Sequence, residues 1–208
     1  MGVAWASGIN LYAAILMLGL MGATGNLALP PELQLLTDPM VLAAAGFMYF
    51  VEFFADKVPG VDSGWDGLST FIRIPAGAIL AAGAIGDVGP AAQLAAGIAG
   101  GTLTAGTHAT KAGSRVLINT SPEPVSNWFA SVGEDVAVIL GLWTALYHPV
   151  LFIVLLILFI LFMIWALPKL WRGIRKVFGF IGRKLGNPAN TGQQDSIPPP
   201  PSGSETEP

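Results

Sequence analysis

Apolar stretches long enough to cross a membrane alternate with short polar segments along most of this chain. A hydrocarbon core about 30 Å thick requires roughly 20 helical residues. On that basis we predict an all-α polytopic membrane protein with about six transmembrane helices. The predicted spans are 4–21, 39–55, 70–85, 90–109 with a continuation to 119, 126–147 and 150–167.

Helix boundaries follow from capping residues and polar segments. Asp38 before Pro39 is typical of a helix N-cap followed by proline at the first helical position. Ser126 or Asn127 is predicted to cap the fifth helix in the same way. The polar segment 56–69, which contains glycine, proline and aspartate, is predicted to be a loop.

The predicted spans differ in the size of their side chains. Gly77 and Ala81 in the third span, and Gly97 and Gly101 in the fourth, lie four residues apart. Small residues at that spacing let helix backbones approach closely inside a bilayer. We therefore expect spans three and four at the centre of the bundle, and the large apolar side chains of 150–167 at its edge. The alternative is that small residues are simply common in membrane helices.

Charge is sparse and unevenly distributed. Charged residues make up 11% of the chain, whereas a soluble domain contains about 25%. With six spans, all ten Lys and Arg residues lie on one side of the membrane. Because basic residues are enriched in cytoplasmic segments, both termini are predicted to be cytoplasmic. We expect a multi-pass protein of the bacterial cytoplasmic (inner) membrane.

Two segments of different composition follow the sixth span. Residues 168–185 place basic side chains beside apolar ones at helical spacing, which predicts an amphipathic juxtamembrane segment that binds anionic lipids. The alternative is a stop-transfer anchor that only sets the topology. Residues 186–208 are rich in proline and serine and are predicted to be disordered. The predicted organisation is a transmembrane domain at 1–167, the basic segment and the tail.

Polar side chains concentrate at the predicted cytoplasmic ends of the first five spans, where their cost commonly marks function. The candidate binding or ion-pair cluster consists of Asn10, Glu52, Asp56, Lys57, Asp62, Arg73, His108, Lys111, Arg115, Asn127, Ser131, Glu134 and Asp135. Its helix-end charges balance as four acids, Glu52, Asp56, Glu134 and Asp135, against four bases, Lys57, Arg73, Lys111 and Arg115. Either these groups line a hydrophilic cavity open to the cytoplasm, or they pair with one another and pin five helix ends together.

Spacing places several of these groups on shared helix faces. Glu52 and Asp56 are four residues apart, and His108, Lys111 and Arg115 follow one another at intervals of three and four. Glu52 lies deepest in its predicted span. We therefore expect Glu52 to be the carboxylate that titrates if the protein carries out proton-coupled chemistry.

Metal, cofactor and nucleophile chemistry find little support. The chain contains no cysteine, which excludes disulfides and thiolate ligands. His108 and His148 fall on opposite sides of the predicted membrane and cannot share a metal. Ser131 near His108 is a conceivable nucleophile and base, but no motif supports an enzyme. We expect no cofactor, no metal site and no nucleic-acid partner.

Three blocks of sequence contain the most distinctive combinations of polar, glycine and proline residues in the chain. The first block is Ser-Gly-Ile-Asn-Leu-Tyr at 7–12, and the second runs from Glu52 through Ala-Asp-Lys-Val-Pro-Gly-Val-Asp at 55–62. The third is His-Ala-Thr-Lys-Ala-Gly-Ser-Arg at 108–115, followed by Pro-Val-Ser-Asn at 124–127, Ser131 and Glu134-Asp135. These blocks resemble a family of bacterial integral membrane proteins, domain of unknown function 4126. The resemblance covers about residues 4–165 and implies an integral membrane protein, without an established activity or ligand.

These observations leave three functional hypotheses. The first is a small transporter or permease for an ion or small polar solute, linked to protons through the charged cluster. The second is a scaffold that binds lipid or partner proteins. The third, with least support, is an enzyme that acts on lipid head groups. A polar cavity beyond mid-membrane favours the first, charges saturated by one another favour the second, and a nucleophile aligned with a base favours the third.

Overall fold

The computed structural model describes residues 1–58, 60–120 and 124–185 of the chain. Within these ranges every regular element is helical, which confirms the predicted all-α class. The α-helices are α1 (Gly2–Ala23), α2 (Pro39–Ala55), α3 (Val61–Gly83), α4 (Pro90–Ile118), α5 (Pro124–Tyr147) and α6 (Pro149–Leu185), and a 3₁₀ helix (Pro31–Thr37) precedes α2. The predicted disordered tail, 186–208, lies outside the described residues.

Three helices are long and apolar enough to cross a membrane by themselves: α1, α5 and α6. The 3₁₀ helix and α2, bent by 67°, form a fourth candidate when they are counted together. In the described residues, α3 and α4 are long enough to cross a membrane but not apolar enough to count as candidate spans. The reason is their content of charged residues, glycine and threonine, so the fold supports three or four spans and leaves the predicted six unconfirmed.

The predicted loop over 56–69 is wrong, because most of it is the first half of α3. The helix begins at Val61, directly after Gly60, whose φ of +89° lies in the left-handed region that favours glycine. Asp62 Oδ1 accepts a hydrogen bond from the backbone N–H of Gly60 at 2.9 Å and stabilises this turn. Buried polar residues then follow at helical spacing: Asp62, Asp66, Ser69 and Arg73. Their polarity reflects a buried polar helix face, not a loop.

Two of the predicted helix starts have different outcomes. The N-cap of α2 is confirmed, since Asp38 Oδ1 accepts a hydrogen bond from the backbone N–H of Met40 at 2.8 Å. The predicted cap of the fifth helix at Ser126 or Asn127 is wrong. The helix α5 begins earlier, at Pro124, because proline suits the first helical position. The Asn127 side chain instead bonds to groups on α4.

The helix α6, which contains the sixth predicted span, does not stop at the end of that span. It continues through Pro168 into the basic segment, so that the proline lies inside a helix. Contacts divide the chain after Ile174, and the residues from Arg175 onward form a separate unit. Before that division, Leu170 packs against α4: a Cβ placed on Gly113 would lie 3.3 Å from Leu170 Cδ1. This apolar packing stabilises the helix beyond Pro168.

The centre of the bundle is α1, not α3 and α4 as predicted. The helix α1 packs against the 3₁₀ helix, α2, α3, α4 and α5. Small residues let it be surrounded, since Ala4, Ala6, Gly8 and Ala14 are buried. The expectation that α6 lies at the edge is confirmed, because most of its apolar side chains are exposed.

The helices α3 and α4 pack extensively against each other, and small residues form the contact. A Cβ placed on Gly77 of α3 would lie 2.8 Å from Thr104 Cβ of α4. Thr104 cannot easily move, because its hydroxyl donates to the carbonyls of Ala4 and Gly100 at 2.8 and 2.9 Å. The small-residue spacing in the sequence therefore marks a close pair, although that pair is not central.

Replacing Gly77 with alanine is expected to destabilise the protein relative to a matched change at Gly67. Both glycines lie in α3, but a Cβ on Gly67 meets open space. Each change gains helix propensity of up to about 1 kcal/mol. Only Gly77→Ala also overpacks the contact with Thr104, at about 1–3 kcal/mol. Thermal unfolding in detergent measures the difference, and equal melting temperatures for the two variants would contradict this packing.

Candidate functional site

The central helix α1 is interrupted at Asn10, close to its middle. Asn10 has φ −145° and ψ 100°, which breaks the helical hydrogen-bond pattern. Its Oδ1 accepts from the backbone N–H of Ala13 at 3.0 Å and so caps the second half of the helix. Its Nδ2 donates to Asp135 Oδ1 on α5 at 3.0 Å. The break therefore depends on a partner 125 residues away in the chain.

The interruption leaves backbone carbonyls of α1 without helical partners, and two cations bind them. Arg73 Nη1 donates to the carbonyl of Ile9 at 2.7 Å and approaches the carbonyl of Gly8 at 3.4 Å. Lys111 Nζ donates to the same Ile9 carbonyl at 3.1 Å. The cations from α3 and α4 thus meet at the middle of α1, deeper than the helix ends where they were expected.

Seven charged side chains surround this point, and we call them the ion cluster: Glu52, Asp56, Asp66, Arg73, Lys111, Arg115 and Glu134. Six of them are at most 5% exposed, and the Glu134 side chain is 19% exposed. Burial at this level strengthens electrostatic interactions and makes unpaired charge costly. The cluster joins α2, α3, α4 and α5.

Arg73 and Glu52 form the most deeply buried pair. The Arg73 guanidinium donates directly to Glu52 Oε1, and both side chains are 0% exposed. Arg73 Nη1 also lies 4.0 Å from Asp66 Oδ1. The Arg73 guanidinium therefore interacts with Glu52, with the carbonyl of Ile9 on α1 and, at a longer distance, with Asp66.

Lys111 is the hub of the ion cluster. Its Nζ lies 2.9 Å from Asp56 Oδ2, 3.3 Å from Glu52 Oε1, 3.4 Å from Glu134 Oε2 and 3.7 Å from Asp66 Oδ1. An ammonium group has three hydrogens to donate. Lys111 donates to the Ile9 carbonyl, Asp56 and Glu52. The contacts with the other two carboxylates are therefore electrostatic.

Arg115 connects α4 to α5 and to the end of α2. Its Nε and Nη2 donate to the two oxygens of Glu134 at 3.2 and 2.7 Å, a bidentate pair. Its Nη1 donates to the backbone carbonyls of Asp56 and Asn127 at 3.0 and 3.1 Å. These bonds satisfy the guanidinium, which is 0% exposed.

A chain of amides borders the ion cluster at the ends of three helices. Asp62 accepts from Asn119 Nδ2 at 2.8 and 2.9 Å. Asn119 Oδ1 in turn accepts from Asn127 Nδ2 at 2.6 Å. Sequence reasoning missed Asn119, although its position four residues after Arg115 continues the polar stripe of α4.

Lys57 and Ser131 contact each other outside the ion cluster. Lys57 Nζ donates to the carbonyl of Phe53 at 3.0 Å and to Ser131 Oγ at 3.3 Å. The ammonium also lies 3.0 Å from the centre of the Phe53 ring. Partial burial lowers the pKa of Lys57, which follows α2, while the nearby Asp135 carboxylate acts in the opposite direction. The expected set of four acids and four bases is therefore corrected: Asp66 joins the cluster, and Lys57 and Asp135 do not.

His108 borders the ion cluster as a neutral ring. Its Nε2 lies 3.0 Å from the backbone carbonyl of Asp66 and 2.8 Å from Thr70 Oγ1, so this nitrogen carries the hydrogen. Its Nδ1 faces Arg73 Nη1 at 3.4 Å and accepts. Among the described residues no hydrogen bond joins His108 to Ser131, and no group of His, Asp and Glu is arranged to hold a metal ion.

Several carboxylate oxygens in the cluster lack hydrogen-bond donors. These buried atoms are Glu52 Oε2, Asp56 Oδ1 and both oxygens of Asp66, judged within the described part of the chain. Over the same residues, four carboxylates face three cations, so the ion cluster has a net charge of −1 when every group is ionised. Buried polar groups without partners are uncommon and call for an explanation.

A groove between α4 and α5 reaches the ion cluster from the side. Its volume is 330 Å³, and its walls include Ile9, Thr107, Ala137 and Phe159 beside Lys111 and Glu134. Thr107 Oγ1 is buried and has no partner among the described residues. Lys111 and Glu134 are the members of the ion cluster that line this groove, whereas the predicted cavity was to be lined by the whole set.

Comparison with known protein families identifies the family of this chain. A family model described as a domain of unknown function, DUF4126, matches residues 1–169. The chain belongs to the DUF4126 family. No curated protein and no solved structure matches the chain. The matched part of the DUF4126 protein contains the interruption of α1, the whole ion cluster and the groove.

Within this DUF4126 domain, the predicted site residues form connected groups. The ion cluster contains six of the thirteen: Glu52, Asp56, Arg73, Lys111, Arg115 and Glu134. Of the remaining seven, His108 and Asn127 are hydrogen-bonded to Arg73 and Arg115 of the cluster. The others are bonded outside it: Asn10 to Asp135, Lys57 to Ser131, and Asp62 to Asn119. Asp66, Asn119 and Thr107 complete the site and were missed.

Proposed function

We propose that this DUF4126 protein is a proton-linked permease for a small polar solute or ion in the bacterial cytoplasmic membrane. The observation that carries the proposal is the interruption of α1 at Asn10, in contact with buried charges. Discontinuous helices with freed backbone groups form substrate and coupling-ion sites in many transporters. Ionisable groups buried in a membrane domain commonly mark ion pathways and proton relays.

The contacts between α4 and α5 supply a route for alternating access. The helix α5 packs mainly on α1 and only slightly on α4. The bonds of Arg115 with Glu134 and Asn127 hold α4 and α5 together. Weakening these bonds widens the groove that ends at Lys111 and Glu134. We infer that the solute reaches the ion cluster along this groove.

The proposed topology has six spans with both termini in the cytoplasm. It counts α3 and α4 as spans, because their charges face the ion cluster and are paired there. A reporter fused after residue 186 is expected to be cytoplasmic, and one inserted in the segment 25–31 is expected to be external. Accessibility labelling of intact cells measures both positions. A cytoplasmic location for 25–31 would contradict the topology.

The test of the permease is uptake into proteoliposomes across imposed pH gradients. The purified protein is reconstituted and given a panel of labelled ions and small metabolites, with empty liposomes as the control. We expect at least one compound to accumulate when a proton gradient is imposed and to stop accumulating when an ionophore dissipates it. The absence of uptake across the panel would overturn the permease.

The pairing of charges also favours a second function, a membrane scaffold that binds lipid or partner proteins. Most cations of the ion cluster are saturated by carboxylates and carbonyls, which stabilises a static assembly. The basic segment 168–185 would then bind anionic lipids. A protein that binds vesicles of anionic lipid but transports nothing across the panel would support the scaffold.

A further inference from the structure

Asp66 differs from the other carboxylates of the ion cluster in having no hydrogen-bond donor. It lies in the second turn of α3 and is 1% exposed. No described group donates to either of its side-chain oxygens. The closest positive charges are Lys111 Nζ at 3.7 Å and Arg73 Nη1 at 4.0 Å from Oδ1. Its negative charge is therefore buried without the hydrogen bonds that normally stabilise one.

The donors that reach a carboxylate are taken by the other three acids, while the buried Arg73 Nε has no partner among the described residues. Glu52 accepts from Arg73 and from Lys111, Asp56 accepts from Lys111 at 2.9 Å, and Glu134 forms the bidentate pair with Arg115. The remaining donor capacity of these cations goes largely to backbone carbonyls. Asp66 is thus the member of the cluster for which the described cations provide no donor.

The charge state of Asp66 depends on the charged and titratable groups that surround it in the ion cluster, taken helix by helix. The acids Glu52 and Asp56, from α2 and its end, and Glu134, from α5, share the Lys111 ammonium with Asp66. Its own helix supplies Arg73, and α4 supplies Lys111, Arg115 and the neutral ring of His108. From α1 the nearest groups to the cations are backbone carbonyls. Within the described residues, four acids therefore face three bases.

We propose that Asp66 is the proton-binding group of the ion cluster, in place of Glu52, which the sequence had indicated and which accepts from Arg73 and Lys111. Binding one proton converts its carboxylate to a neutral carboxylic acid and leaves three acids against three bases. The new O–H becomes a donor in a cluster where Glu52 Oε2 and Asp56 Oδ1 still lack one. The coupling of this proton to uptake rests on the proposed permease. Proton binding at Asp66 does not, because it does not require transport.

The test follows the carbonyl stretch of protonated carboxylic acids by infrared difference spectroscopy while the pH of the membrane-reconstituted protein is raised. In the wild-type protein we expect a buried carboxylic-acid band that disappears as the pH rises. The band should be missing from Asp66→Asn, which keeps the size of the side chain. It should remain in Asp62→Asn, because Asp62 lies on the same face of α3 and is equally buried but is hydrogen-bonded to Asn119 and Gly60.

The outcomes separate the proton site from the permease. A band that survives in Asp66→Asn would overturn the proton site, and so would a band lost in Asp62→Asn but kept in Asp66→Asn. Failure of Asp66→Asn to fold would also count against it, because this change removes no hydrogen-bond acceptor that a described donor uses. A titrating Asp66 band in a wild-type protein that transports nothing would uphold the proton site and reject the permease.

Discussion

Replacing Arg73 with alanine should cost roughly 3–5 kcal/mol of folding stability, because it leaves the Glu52 carboxylate buried without its guanidinium. Both side chains are 0% exposed, so water cannot take over the lost interaction. The carbonyl of Ile9 loses a 2.7 Å hydrogen bond in the same step. Denaturant unfolding in detergent measures the loss.

The double variant Arg73→Ala with Glu52→Ala should cost less than the sum of the two single changes. Removing both partners avoids the uncompensated charge that each single change creates. Arg172→Ala serves as the control, since Arg172 lies on an exposed face of α6 and bonds to the carbonyl of Pro168. Additive effects of Arg73 and Glu52 would mean that these groups act independently of each other.

The parts of the fold that sequence reasoning predicted correctly have local causes. Long apolar runs identify α1, α5 and α6 because a membrane helix needs a minimum length. The cap at Asp38 depends on a contact two residues away. Arg115 with Glu134 is one example of the mutual pairing that the sequence offered as an alternative to an open cavity, although the sequence did not single out this pair.

The parts that were wrong depend on contacts distant in the chain. No proline or glycine occupies position 10, so the sequence contains no local signal for a break in α1 there. The side chain that bonds to Asn10, Asp135, lies on another helix. The first half of α3 was predicted to be a loop because of its glycine, proline and aspartate content, and the helical spacing of its polar residues was not considered. The intervals of four, three and four from Asp62 to Arg73 would have indicated a helix face, and would have brought Asp66 into the site.

Replacing Glu52 with glutamine should abolish uptake driven by a pH gradient if the protein is a proton-linked permease. Glutamine keeps the size of the side chain and an oxygen that accepts from Arg73, but it removes one negative charge. Within the described residues, the ion cluster then balances at three acids and three bases, so that a proton at Asp66 is no longer needed for neutrality. Uptake into proteoliposomes should fall to the level of empty liposomes, while the folded protein remains in the membrane at normal abundance.

The control for this change is Glu32→Gln, because Glu32 lies in the exposed first turn of the 3₁₀ helix, away from the ion cluster. It should transport at the wild-type rate. Size-exclusion chromatography in detergent establishes that both variants are folded, which separates a loss of coupling from a loss of protein. If Glu52→Gln accumulates solute as fast as the wild type under the same gradient, the charge balance of the ion cluster does not couple protons to uptake, and the cluster then serves to hold the helices together as the scaffold requires.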